Sequence, residues 1–150
     1  MVYEKVCGVF FIFTYQYAVI GGDMRQKILF EKLSKDYKAC VYYGVNELLC
    51  DEAESLEIAM TQAKTLLLPI PMCKGDQLNI QQDKQISKSM LLEYIQNGQY
   101  IFAGCIPEDW KAAAEEKGAK CFDYMKEKTI AIFNSIATAE GTIAEMIRTY

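Results

Sequence analysis

YAVIGGDMRQ, at positions 17–26, is the stretch of sequence that determines the fold. Residues 17–20 form a short continuous apolar run, as expected of a strand buried on both faces of a parallel sheet. Two glycines and Asp23 follow, a combination typical of a tight turn that ends in a helix cap. Apolar residues then recur at helical spacing through residues 24–33. The stretch predicts a buried strand, a turn and a helix.

The same alternation of short apolar runs and helical patterns continues along the chain. We expect further strands at residues 39–43, 65–68, 100–103 and 120–122. We expect further helices at residues 53–63, 87–97, 107–117 and 139–149, the last capped by Thr138, whereas residues 127–133 fit either a helix or a strand. This pattern predicts an α/β fold with a doubly wound, mainly parallel sheet of five strands in flavodoxin-like order between two layers of helices, a Rossmann-like three-layer domain.

The first 16 residues precede this pattern. The apolar run 6–13 (VCGVFFIF) has the length and the preceding charge of a signal-peptide core, but it has no small-residue cleavage site and is too short to span a bilayer. We interpret residues 1–16 as an N-terminal extension or extra strand and residues 17–150 as the domain. We expect no membrane association.

Composition argues against several classes of function. The formal net charge is -4 and the basic residues are scattered, so there is no basic stripe to follow nucleic acid phosphates. The absence of histidine removes the commonest general base, the commonest zinc ligand and any Ser-His or Cys-His nucleophilic pair. The six cysteines lack metal-like spacing, which predicts reduced, mostly buried thiols in a cytoplasmic protein without a metal site.

Ligands of parallel sheets bind beyond the carboxyl ends of the strands. Here those ends lead into residues 21–25, 69–74 and 104–107. The turn after the first strand does not match a dinucleotide-binding loop, which requires glycine at its first, third and sixth positions; the residues there are Gly21, Asp23 and Gln26. The sequence therefore predicts that this domain binds no cofactor.

Arg25 is the most informative residue in the first of these loops. A cation in the first turn of a helix opposes the helix dipole unless an anion lies nearby. A bound carboxylate would supply that anion, and Gly22 and Asp23 would then belong to the same substrate site. Alternatively, Arg25 simply pairs with Asp23 or points into water.

Polar residues also crowd the predicted start of the last helix. Asn134, Ser135, Thr138 and Glu140, together with backbone N–H groups, could hold a small acid. The alternative is ordinary capping, with Thr138 as the cap and Glu140 in the first turn. Both interpretations stay open on the sequence alone.

Four stretches together resemble a known family. They are AVIGGDMRQ at 18–26, TLLLPIP at 65–71, YIFAG at 100–104 and AIFNSIATAEGTIAE at 131–145. In order and spacing they are similar to the N-terminal domain of the A subunit of dipicolinate synthase, from about residue 17 onward. Two features depart from the family, since Ala137 stands where it usually has proline and residues 1–16 have no counterpart.

The resemblance implies a part in an oxidoreductase. The family oxidises a dihydrodipicolinate-type precursor to dipicolinic acid, a compound of bacterial endospores, with NAD(P), and works with a flavoprotein-like second subunit. The nicotinamide is expected in a C-terminal Rossmann domain that these 150 residues lack, so the chain is expected to be a fragment that is inactive alone. The candidate residues would bind a small dicarboxylate in one pocket between the first loop and the last helix.

A different class of function remains open. The chain could be a stand-alone flavodoxin-like module that binds a small acid or regulates another protein without catalysis. An in-frame strand and G-x-G-x-x-G after residue 150 would indicate the enzyme, and a stop codon would indicate the module. The sequence assigns no catalytic acid or base, and it leaves assembly into a homo-oligomer open.

Overall fold

The computed structural model of the chain describes residues 2–6, 9–36, 39–45, 52–80 and 84–149. The strands are β1 (Val2–Val6), β2 (Val9–Phe13), β3 (Tyr15–Ile20), β4 (Cys40–Tyr43), β5 (Ala63–Leu67), β6 (Cys73–Lys74), β7 (Gln77–Leu78), β8 (Tyr100–Ala103) and β9 (Lys120–Asp123). The helices are α1 (Met24–Asp36), α2 (Leu56–Thr61), α3 (Lys88–Tyr94), α4 (Glu108–Glu116) and α5 (Lys128–Thr149). A 3-10 turn at Tyr124–Lys126 joins β9 to α5.

Five strands form one parallel sheet in the order β4-β3-β5-β8-β9. Along the chain these are the second, first, third, fourth and fifth strands of the sheet, which is the flavodoxin-like order. Ala18 at the centre of β3 lies beside Val41 on one side and Leu66 on the other. The predicted fold is confirmed, and the carboxyl ends of all five strands lie at one edge of the sheet.

Alternate residues of each strand point into two separate cores. Ala18 and Ile20 of β3 face the larger core, which buries residues of α2, α3 and α4 such as Trp110, 1% exposed. Val19 faces a smaller core that packs against Phe30 of α1. This alternation places helices on both faces of the sheet, as the sequence predicts.

The last helix differs from the prediction. Helix α5 begins at Lys128 and runs for 22 residues, because the segment 127–133 that fitted a helix or a strand is helical and continuous with residues 134–149. Thr138 consequently lies in the helix interior, and the prediction that it caps the helix is wrong. The backbone N–H groups near Thr138 belong to an uninterrupted helix, whereas only the first four of a helix are free to bind a ligand.

Two short hairpins accompany the main sheet. Strands β1 and β2 pair antiparallel, so the extra N-terminal strand expected from the sequence is a pair of strands. Strands β6 and β7 form a second antiparallel pair within the predicted loop after β5. None of the helices in the described part of the chain is long and apolar enough to cross a bilayer.

The described cysteines are free thiols and differ in exposure. Cys121 is buried, Cys105 is exposed, and Cys40 and Cys73 are intermediate, so the expectation of mostly buried thiols holds for one of the four. Cys7 and Cys50 lie outside the described residues. Burial raises the pKa of Cys121 to about 11.

Iodoacetamide at pH 8 is expected to alkylate Cys105 at least ~10-fold faster than Cys121, because the reactive species is the thiolate and burial disfavours both the thiolate and the reagent's access. Peptide mass mapping over time measures the two rates separately. The urea-unfolded chain is the control and should label both cysteines at similar rates. Similar rates in the folded chain would contradict the burial of Cys121.

Candidate functional site

The turn after β3 closes the carboxyl edge of the sheet. Gly21 and Gly22 have φ of 66° and 89°, in the left-handed region that favours glycine. The Gly21 amide donates to the Tyr43 carbonyl at the end of β4 (2.8 Å), and the Gly22 amide donates to the Asn79 carbonyl (2.8 Å). Both amides are therefore occupied and do not fit a pyrophosphate group, which binds to free N–H donors.

Gln26 connects this turn to the neighbouring strand. Its side chain is 6% exposed, and its amide nitrogen donates to the Leu68 carbonyl just beyond β5 (3.0 Å). Gly22 leaves room for this side chain, because a Cβ at position 22 would lie 2.3 Å from Cγ of Gln26. The motif GGDMRQ thus places a buried polar side chain across two strands, a contact that was not predicted from the sequence.

Arg25 bridges two loops at the same edge. Its Nε donates to the Asp23 carboxylate at 3.0 Å, and its Nη2 donates to Asp23 at 2.7 Å and to the Ile70 carbonyl at 2.8 Å. The hydrogen bonds from Arg25 lower the pKa of the Asp23 carboxyl, and Asp23 in turn raises the pKa of Arg25. The pairing with Asp23 that the sequence offered as an alternative is therefore present.

One nitrogen of the guanidinium is still open to a ligand. Both hydrogens of Nη2 are used by Asp23 and Ile70, whereas Nη1 donates to no residue in the described part of the chain. The side chain of Arg25 is 62% exposed. A guanidinium held on one side and open on the other can accept a carboxylate without losing its ion pair. The pairing with Asp23 and a role in ligand binding are compatible.

The loop after β5 folds across this edge. The Met72 amide donates to the Gly104 carbonyl (2.7 Å), and the Asn79 side chain donates to the Pro71 carbonyl (3.1 Å). Ile70 packs against Gly104, where a Cβ would lie 2.6 Å from the Ile70 side chain. The loops that the sequence singled out therefore meet at one edge of the sheet.

Asp123 anchors the loop between β8 and α4. Its carboxylate accepts hydrogen bonds from the amides of Cys105, Ile106 and Met125 at 3.0, 3.0 and 2.9 Å. Cys105 has φ of 56°, a backbone conformation that is unfavourable for residues other than glycine. Asp123 was not predicted from the sequence, although a carboxylate directly after the last strand is the signal that could have indicated it.

Comparison with known proteins agrees with this geometry. Residues 16–125 match the model of the family described as the N-terminal domain of the dipicolinate synthase A subunit. The chain belongs to this family. The resemblance seen in the sequence is thereby confirmed. No curated protein sequence matches the chain.

Two solved structures from the same family share the fold. The crystal structure of dipicolinate synthase, A chain, from Bacillus subtilis aligns with a TM-score of 0.70 and 25% identity, over 91% of this chain and 49% of that chain. The crystal structure of the corresponding dipicolinate synthase polypeptide from Bacillus halodurans aligns with a TM-score of 0.70 and 24% identity, over the same shares. The chain spans about half the length of these two dipicolinate synthase chains.

The predicted site residues of the last helix lie on α5 and away from its amino end. Ser135, Thr138 and Glu140 are exposed, and the Ser135 hydroxyl donates to the Ile132 carbonyl of the same helix (2.7 Å). The side chain of Asn134 lies outside the described part of the structure. Whether these residues share a ligand with Gly22, Asp23 and Arg25 stays a prediction for this family member.

Proposed function

We propose that this chain is the substrate-side domain of a dipicolinate synthase A subunit, and that it takes part in the NAD(P)-dependent oxidation of a dihydrodipicolinate-type precursor to dipicolinic acid during sporulation. Membership of the family over residues 16–125 supports the assignment. The observation that carries the substrate site is the guanidinium of Arg25, which Asp23 and Ile70 hold in place while Nη1 remains open.

In this proposal one carboxylate of the substrate binds Nη1 of Arg25. Asp23 positions the guanidinium, and because its pKa is lowered it stays ionised at neutral pH and does not donate a proton. The exposed Ser135 and Thr138 hydroxyls are candidates to bind the second carboxylate, with Asn134 and Glu140 beside them on α5. Arg25 would therefore orient a diacid ring from one end.

The cofactor in this proposal binds outside these residues. The amides of Gly21 and Gly22 are occupied by the Tyr43 and Asn79 carbonyls, so the loop that would hold a dinucleotide in many sheets of this type has no free donors there. A nicotinamide bound to a further domain would take up the hydride removed from the precursor. A flavoprotein-like second subunit is the proposed protein partner.

Dipicolinate at millimolar concentration in buffer with EDTA is expected to raise the melting temperature of the 150-residue chain by roughly 2–5 °C, because a ligand that binds only the folded state stabilises it. Arg25→Ala should abolish the shift. Lys32→Ala is the matched control, since it removes one exposed positive charge from the same helix and should preserve the shift. Differential scanning fluorimetry measures all three proteins.

The ligand needs its own control. Picolinate carries one carboxylate on the same ring and should give a smaller shift than dipicolinate if both carboxylates are bound. An equal shift in the Arg25→Ala and wild-type proteins would remove Arg25 from the site. The absence of any shift with dipicolinate would argue against a substrate site in this chain.

A further inference from the structure

One face of α5 carries an apolar stripe that remains exposed. Ile132, Ile136, Ile143 and Met146 are 59%, 49%, 57% and 59% exposed, and Ala139 between them is exposed as well. Every side chain of α5 that the structure describes is exposed, and its main contact with another element is with the 3-10 turn at its amino end. Such a stripe on a helix usually marks an interaction surface.

The spacing of the stripe indicates that another helix covers it. Ile132, Ile136, Ala139, Ile143 and Met146 are separated by alternating steps of four and three residues, the heptad spacing of helices that pack side by side. A sheet or a flat surface would require no such alternation. The partner surface is therefore an α-helix with a similar apolar face.

The opposite face of α5 is polar. Thr138, Gly141 and Glu145 lie on it, and Arg148 pairs with Glu145 at 3.8 Å. The helix is thus amphipathic, which separates the stripe from the general apolarity of a membrane-spanning segment. A partner has to bind one defined side of the helix.

We propose that the occupant is a second copy of this chain, whose α5 packs antiparallel against the first. The stripe is self-complementary, because small Ala139 lies at its middle and two large apolar residues flank it on each side. It therefore presents nearly the same pattern in both directions. The small side chain at the centre lets the two backbones approach closely.

The position of the folded domain favours the antiparallel direction. The chain enters α5 from β9 through the 3-10 turn, so the sheet lies at the amino end of the helix. With 22 residues, α5 is about 33 Å long. Antiparallel helices keep the two domains at opposite ends of this length, whereas parallel helices would bring them side by side.

Glu140 lies beside the stripe near its centre. In the antiparallel pair the two Glu140 carboxylates approach each other, and their repulsion weakens the dimer. One helix face is also a small interface compared with the about 800 Å² per partner of stable complexes. Dimerisation is therefore concentration dependent, and Glu140→Gln strengthens it.

Sedimentation velocity of the full 150-residue chain between about 2 and 200 μM tests the proposal. The mass is expected to rise from the 17.1 kDa of the monomer towards twice that value. Ile143→Glu should keep the chain monomeric, and Glu140→Gln should lower the dissociation constant at least ~3-fold. Gly141→Glu is the matched control: it adds the same charge on the polar face, where a Cβ meets nothing within 4 Å, and should still dimerise.

Circular dichroism checks that Ile143→Glu remains folded. A chain that stays monomeric across the whole range, or an Ile143→Glu variant that dimerises like the wild type, overturns the proposal. This proposal does not rest on the substrate site, because neither Arg25 nor dipicolinate enters the measurement.

Cysteine crosslinking tests the direction of the helices. Under mild oxidation Ala139→Cys should form a disulfide-linked dimer, because position 139 of each copy lies near the two-fold axis. Met146→Cys should not, since its counterpart lies at the far end of the pair. Peptide mass mapping separates these bonds from any at the native cysteines. Equal crosslinking at both positions would overturn the antiparallel arrangement.

Discussion

Replacing Gly22 with alanine is expected to lower the free energy of unfolding by about 3 kcal/mol. Two costs combine at this position. The backbone at φ 89° is strained for any residue with a side chain, and the new Cβ would lie 2.3 Å from Cγ of Gln26. Gln26 would have to move and would lose its hydrogen bond to the Leu68 carbonyl. Urea denaturation monitored by circular dichroism measures the change.

Gly75 provides the matched control for this substitution. Its φ of 63° imposes similar backbone strain, but a Cβ there meets nothing within 4 Å. Gly75→Ala is therefore expected to cost only about 1 kcal/mol, the strain alone. Equal losses for the two variants would mean that the contact between Gly22 and Gln26 contributes nothing to stability.

Replacing Asp123 with alanine is expected to cost a similar amount, about 3 kcal/mol. The substitution removes a carboxylate that accepts three backbone hydrogen bonds, from Cys105, Ile106 and Met125. The turn at Cys105 is then held in its left-handed conformation without that support. The cost stays below the sum of three charge-assisted bonds because part of this turn is exposed and water replaces some of them.

Asparagine at position 123 separates charge from geometry. Asp123→Asn keeps one acceptor oxygen but turns an N–H group towards the Ile106 amide, so a loss of roughly half the alanine value is expected. Adding Cys105→Gly to Asp123→Ala should recover about 1 kcal/mol, because glycine adopts φ 56° without strain. An Asp123→Ala variant as stable as the wild type would contradict the anchoring role. The same urea titrations measure these variants.

Both substitutions act on the edge of the sheet where the proposed substrate site lies. Gly22 positions the turn that carries Arg25, and Asp123 holds the neighbouring turn at Cys105. If Arg25 binds substrate, a partly destabilised Gly22→Ala chain should also show a smaller response to dipicolinate. The stability of this edge and its ability to bind a ligand are therefore linked through backbone geometry.

Most of the sheet could be predicted from the sequence because its signals are local. A strand buried on both faces is a continuous apolar run, and YAVI, TLLL and YIFA are such runs bounded by turn residues. Right-handed crossovers then restrict the strand order to few arrangements. The order was confirmed, and the strand at residues 100–103 was predicted with the bounds that the structure has.

The ends of the helices were harder to predict. The predicted helix 53–63 is six residues long, Leu56–Thr61, because Ser55 caps it and β5 begins at Ala63. Thr138 looked like a cap because threonine before an apolar segment is a typical cap. Helix α5 instead continues through it from Lys128, since nothing in residues 128–137 breaks a helix.

The candidate site divides in the same way. The sequence alone established the parallel α/β fold, the family resemblance and the position of Arg25 in a loop at the carboxyl edge, because residue types and their spacing along the chain encode all three. Only the tertiary structure showed that Asp23 and Ile70 hold Arg25 and that Asp123 supports the turn at Cys105. The contacts of Arg25 with Ile70 and of Asp123 with Cys105 join residues 45 and 18 positions apart, and chain folding rather than local sequence brings such residues together.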